Sequence, residues 1–167
     1  MPQSSGVFAG FKGTVDFISD APLELIKAKS AKLSGAINTT DKSFLFSIPM
    51  NTFQGFNSEL QRSHFNENYV ESTKYPKTTF EGKIIEDIDF SKPGTYQIRA
   101  KGNLLIHGIK QQRIIKSTLT ITKGSLKIKS SFTVPLVDHQ IQIPTIVKQK
   151  IAEEIFVNIA IELTPKK

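Results

Sequence analysis

Apolar and polar side chains alternate with a period of two along most of this chain, the spacing at which successive residues of a strand face opposite sides of a sheet. From Phe11 the apolar set Phe11, Val15 and Phe17 keeps Gly13 in register, with Lys12, Thr14 and Asp16 opposite. Asp20, Ala21 and Pro22 break the run, and residues 23–28 read as a short strand or a helical turn. Ala31, Leu33, Gly35 and Ile37 resume the alternation, and Phe44, Phe46 and Ile48 share the next face as far as Pro49. After a polar stretch, Phe80, Gly82 and Ile84 form another set. The clearest run places Tyr96, Ile98, Ala100, Gly102, Leu104 and Ile106 against Thr95, Gln97, Arg99, Lys101 and Asn103. A turn at His107-Gly108 leads back through Ile115, Leu119 and Ile121. Beyond Lys123-Gly124 come Leu126, Ile128, Phe132 and Val134, and the last run offers Ile155, Val157, Ile159, Ile161 and Leu163. Residues 144–152 read as a short helix opened by Pro144.

Eight or nine strands joined by short turns, all alternating and none continuously apolar, predict an antiparallel sheet closed into a barrel or folded into a sandwich. A parallel α/β architecture is excluded by the same pattern. The polar parity faces water, the reverse of a membrane barrel, whose outer face is apolar.

One stretch departs from strand patterning: residues 57–80, NSELQRSHFNENYVESTKYPKTTF. Ser58 and Gln61 have capping-box spacing, which predicts a short helix, and Leu60 and His64 lie one turn apart on a shared face. Phe65 and Tyr69 are also four apart. Phe53, Phe56, Leu60, Phe65 and Tyr69 are therefore expected to cover one end of the barrel, as a plug or as a gate.

Length and composition add one domain spanning residues 1–167, large enough for its own core. The absence of cysteine removes disulfides and thiolate metal sites. No apolar run approaches the roughly 20 residues of a spanning helix, and the start MPQSSGVFAG lacks a signal-peptide pattern, so the chain reads as soluble. The net charge of +7 is concentrated: residues 101–150 hold 9 Lys and Arg against one acid, Asp138. Arg99, Lys101, Lys127 and Lys129 fall on the outward parity, where they favour solubility and weak contact with an acidic membrane surface. Aromatic residues are not interleaved with them, so no nucleic-acid partner is expected.

Gly13, Gly35, Gly82 and Gly102 share the inward parity, where they either bend strands for closure or leave interior space. Both effects together give a curved, lipocalin-like barrel with a cavity. Its lining carries almost no charge, so the expected ligand is apolar, an acyl or isoprenoid chain. The candidate ligand-binding residues are Phe17, Phe44, Phe46, Phe53, Phe56, Leu60, His64, Phe65, Phe80, Tyr96, Ile98, Leu104, Leu119 and Phe132. No nucleophile elbow, phosphate loop or HExxH spacing is present, and neither catalysis nor a cofactor is expected. The alternative is a metal-dependent enzyme or metal-binding protein in which His64, His107 and His139 converge.

The run SHFNENYVESTKYPKTTFEGKI, with FLFSIPMNTFQGFNSELQR before it and GTYQIRAKGNLLIHGIKQQ after it, resembles the YceI-like family of lipocalin-fold, polyisoprenoid-binding proteins. FKGTVDFISDAP and VDHQIQIP extend the resemblance over nearly the whole chain. It implies an all-β fold, an antiparallel eight-stranded lipocalin-like barrel with a short helical insert near residues 57–71, and a long isoprenoid lipid held in an apolar tunnel. A homodimer and a periplasmic or secreted location are further implications. Within the matching run, Tyr75-Pro76 is expected to lock the insert onto the barrel and His64 to supply a polar contact at its mouth.

Overall fold

The computed structural model describes residues 6–166. Eight long strands follow the alternating runs: β1 (Val7–Asp20), β2 (Leu25–Asn38), β3 (Ser43–Pro49), β5 (Lys77–Ile84), β6 (Gly94–Ile106), β7 (Ile109–Thr122), β8 (Ser125–Pro135) and β9 (Glu154–Pro165), with a two-residue β4 (Gln54–Gly55) between β3 and β5. Each long strand pairs antiparallel with its neighbours in the order β1-β9-β8-β7-β6-β5-β3-β2, and β2 returns to β1, closing an eight-stranded barrel. β4 adds a short pairing to β2 through Ala28 and Gly55.

Closure requires strong bending, and the β1–β2 pair supplies it. Gly10 pairs with Gly35, Gly13 with Leu33 and Val15 with Ser30, so β1 carries an extra residue in the first interval and β2 one in the second. Such bulges kink a strand and increase its twist. They also reset parity. Phe11 is 72% exposed, and on β2 the buried positions change from Ile26, Ala28 and Ser30 to Leu33 and Ile37. The expected inward assignment of Phe11 and Ala31 is corrected accordingly, and residues 25–28 belong to one continuous strand.

The inward glycines serve close approach rather than space. A Cβ on Gly13 would lie 2.8 Å from the Ile161 side chain and one on Gly35 only 2.2 Å from the Phe46 ring. Gly82 and Gly102 are direct cross-strand partners, and their Cβ atoms would fall 1.9 and 2.1 Å from backbone oxygens of Lys101 and Glu81.

Ser58 caps helix α1 (Glu59–His64), its hydroxyl accepting from the Gln61 amide at 3.0 Å, while Gln61 Oε1 accepts from the Asn57 amide at 2.8 Å. A π-type turn over Phe65–Tyr69 extends the helix, with the Val70 amide donating to the Phe65 carbonyl. This insert lies at the end of the barrel shared by the β1–β2 and β6–β7 hairpins and the long β8–β9 connection. That connection contains two 3-10 turns, Leu136–His139 and Thr145–Val147, in place of the helix expected over residues 144–152. At the opposite end the interior is filled: Leu119, Leu126 and Leu163 are fully buried, and Leu126 pairs with both Ile121 and Leu163.

Candidate functional site

Beneath the insert the barrel encloses a cavity of about 230 Å³. Its wall is built from the inward parity of the strands, including Val15, Leu33, Ile37, Phe44, Ile48, Ile84, Ile98, Leu104, Ile115, Ile128, Phe132, Val134, Val157 and Ile159, with Gln61, Phe65, Tyr69 and Val70 from the insert as its cover. Among the described residues no carboxylate, amine, guanidinium or imidazole lines it. Its polar groups are hydroxyls and one amide. Ser117 and Ser130 satisfy each other across β7 and β8 at 2.6 Å. The Thr78 hydroxyl has no hydrogen-bond partner, and burial raises the pKa of the Tyr69 phenol.

Two groups of aromatic rings stand in the wall. Phe17 meets Phe53, Phe56 and Phe65 at centroid separations of 5.1, 6.0 and 5.4 Å, and Phe65 reaches Phe56 at 5.2 Å. Phe44 meets Phe46 at 5.7 Å and Phe80 at 5.0 Å. Such tilted and offset pairs are worth about 0.5–1.5 kcal/mol each beyond the area they bury. The insert is thus held from within by Phe65.

It is held from outside by polar contacts. Glu24 Oε2 accepts from Asn57 Nδ2 at 2.8 Å and Gln61 Nε2 at 2.7 Å. The Asn57 bond first and then the Gln61 bond hold the Glu24 carboxyl below the usual range, with a smaller contribution from Lys150. Arg62 donates through Nε to the Phe53 carbonyl at 3.1 Å and through Nη2 to that of Asn51 at 3.3 Å. At the far end of the insert the Glu71 carboxylate pairs with His107 Nε2. His107 Nδ1 lies 3.0 Å from the His139 carbonyl, so both ring nitrogens face oxygen acceptors. Tyr75 lies edge-on to His107 at 4.9 Å, and a Cβ on Gly108 would come within 2.5 Å of the Tyr75 ring. The Pro76 carbonyl accepts from the Met50 amide at 2.8 Å.

Ten of the fourteen candidate residues line the cavity: Phe17, Phe44, Phe46, Phe53, Phe56, Phe65, Phe80, Ile98, Leu104 and Phe132. Four do not. Leu60 is 65% exposed and His64 is also exposed, because the helical face turned inward is Gln61, Phe65 and Tyr69 and not the Leu60–His64 face. Tyr96 sits at the filled end, where its hydroxyl donates to the Lys92 carbonyl at 2.9 Å, and Leu119 is sealed in the core beside it. The three histidines do not converge either. His64 is on the outer side of α1, His139 is buried with Nδ1 donating to the Ile109 carbonyl at 3.0 Å, and among the described residues no three metal-ligating side chains gather. Leu136, Ile141 and Ile151 were missed as lining residues. Their signal was a set of apolar residues in a connection without strand periodicity.

A closed antiparallel barrel with an apolar cavity under a helical cover defines the lipocalin-like class of barrels. Within that class the chain belongs to the YceI-like family, whose domain profile matches residues 2–163. Comparison with curated proteins found no match. Among solved structures, a polyisoprenoid binding domain from Saccharophagus degradans superposes with a TM-score of 0.81 at 12% identity, covering 98% of this chain and 100% of that one. BcnA of Burkholderia cenocepacia gives 0.73 at 13% identity over 92% and 97% of the two chains. The YCEI protein of Campylobacter jejuni gives 0.61 at 17% identity over 100% and 90%.

Proposed function

We propose that this protein binds a long apolar lipid of isoprenoid type in the barrel cavity and holds it for transport or storage without altering it chemically. The observation that carries this reading is the wall itself, aromatic and aliphatic from cover to floor, with no ionisable group other than the Tyr69 phenol among the described residues. Burial of each CH₂ contributes about 0.8 kcal/mol, so a long hydrocarbon binds tightly with few polar contacts. Tyr69 and the unpartnered Thr78 hydroxyl, both close to the insert, offer hydrogen bonds to a polar end group. The description of the Saccharophagus degradans neighbour as a polyisoprenoid binding domain supports the same ligand class. General acid–base or nucleophilic chemistry needs a titratable group in reach of the substrate, and the wall supplies no carboxylate, imidazole or amine.

The test is organic extraction of the purified, denatured protein, with mass spectrometry of the extract and uptake of an apolar fluorescent probe by the delipidated protein. A prenyl-type lipid and saturable uptake are expected. Ile98→Phe combined with Ile128→Trp, which fills the wall from β6 and β8, is expected to abolish uptake while circular dichroism stays unchanged. An empty extract with no probe uptake overturns the reading.

A further inference from the structure

Among the described residues ten large apolar side chains are exposed, and four of the five most exposed stand at the insert end of the barrel: Leu23 at 66%, Leu60 at 65%, Val137 at 78% and Ile146 at 90%. None of the four is on a strand. Leu23 tips the β1–β2 connection, Leu60 is on α1, and Val137 and Ile146 occupy the two 3-10 turns of the β8–β9 connection. Backbone and side-chain bonds join these tips into one rim. The Leu23 amide donates to the Gln149 carbonyl at 2.8 Å, and Glu24 next to it holds Asn57 and Gln61 at the start of α1. On the other side, His139 ties the Val137 turn to β7 through the Ile109 carbonyl.

The stretch around Ile146 is locally basic. Lys148 and Lys150 are exposed there, and residues 139–152 contain no carboxylate. Glu24, the acid nearest to them across the Leu23–Gln149 contact, already accepts two amide hydrogen bonds. Exposed Glu153 and Glu154 follow the stretch at the start of β9, exposed Asp20 ends β1, and Glu59, Glu67 and Asp138 lie on α1, its extension and the Val137 turn.

We propose that this rim is a membrane-docking face, in which the apolar tips enter the interfacial region of a bilayer and Lys148 and Lys150 meet anionic lipid headgroups. Separate apolar tips spaced by polar backbone suit a fluid interface, which closes around each one, better than a rigid protein partner, which needs a continuous complementary patch. Basic side chains at the surface of an anionic leaflet add attraction that salt screens. The rim surrounds the end where Phe56 and Phe65 begin the aromatic wall. This deepens the lipid-binding reading, whose cavity gives the docking its purpose.

The experiment is co-sedimentation of the protein with phosphatidylcholine vesicles, with and without phosphatidylglycerol, beside uptake of an apolar fluorescent probe added from ethanol. Wild-type protein is expected to pellet with the anionic vesicles and to release at high salt. Leu60→Asp with Ile146→Asp is expected to lower partitioning at least about tenfold. Lys148→Glu with Lys150→Glu is expected to lose about tenfold of the preference for anionic vesicles. Both pairs should take up the ethanol-delivered probe as the wild type does, because none of these side chains lines the cavity. Probe uptake by a wild-type protein that ignores both vesicles overturns the docking face and leaves the cavity reading intact. Vesicle binding without probe uptake or extractable lipid does the reverse. Undiminished pelleting of Leu60→Asp/Ile146→Asp overturns the proposal, as does a wild-type dimer that this pair makes monomeric while no vesicle is bound.

Discussion

Between β5 and β6, Gly82 and Gly102 oppose each other so closely that a methyl group on either has no room. The added Cβ of Gly102 would lie 2.1 Å from the Glu81 carbonyl oxygen, well inside van der Waals contact, and backbone cannot swing aside as a side chain can. Gly102→Ala is therefore expected to destabilise the fold by about 1–3 kcal/mol, read as a lower urea midpoint. An unchanged midpoint would show that the strands separate at no cost. The inward parity of these glycines was legible from their strands, but their purpose was not. Interior space and close approach look the same in a sequence, and only the register that sets Gly82 opposite Gly102 separates them.

The insert shows how local chemistry and tertiary contact divide the work on a single element. Its start is local: Ser58 satisfies the Gln61 amide of the first turn and Gln61 the Asn57 amide just ahead of it, and their spacing announces it. Its orientation is not, because the inward face is chosen by Phe65 reaching Phe17, Phe53 and Phe56 and by Glu24 anchoring Gln61. Its far end depends on a residue 36 positions away, His107, paired with Glu71. Glu71 and His107 both adopt left-handed backbone conformations, with φ of 49° and 55°, which non-glycine residues hold only where surrounding contacts fix them. Glu71→Gln is expected to cost up to about 1 kcal/mol, because the carboxylate is partly exposed and screened. The sharper readout is tryptic cleavage at the neighbouring exposed Lys74, which should become several-fold faster. Equal cleavage rates in the two proteins would remove the latch.

For the whole molecule, His139 links stability to pH. Burial lowers its pKa from the ordinary 6.5, and the hydrogen bond to the Ile109 carbonyl only partly opposes this. In the unfolded chain the ring takes up a proton as pH falls through 6.5, while in the folded protein it stays neutral until a lower pH. Unfolding then binds the extra proton, so this contribution is fully present above 6.5 and is lost as pH falls towards the folded-state pKa, below which it levels off. Glu24, whose folded pKa is depressed, acts in the same direction at lower pH. Urea titrations from pH 7.5 to 5 should show stability falling with acidification, and His139→Asn should flatten that slope whatever its effect at neutral pH. An identical slope in the variant would mean that another group carries the linkage.

The sequence by itself determined the all-β character, the antiparallel arrangement, the water-facing polar parity, the helical start at Ser58 and ten of the residues that wall the cavity. Each of these follows from interactions spanning a few residues or from a two-residue period that burial enforces. The tertiary structure alone decided the rest. Bulges in β1 and β2 turned Phe11 and Ala31 outward, since a bulge exists only relative to a partner strand. Fully buried Leu119, Leu126 and Leu163 filled one end of the barrel and left the other hollow, a distinction invisible to parity because both ends read as inward and apolar. The aromatic grip of Phe65 turned Leu60 and His64 to solvent, and loop residues Leu136, Ile141 and Ile151 entered the wall because β8 and β9 brought their connection over the same end. Periodicity assigns a side chain to a face, whereas packing between distant segments decides what that face encloses.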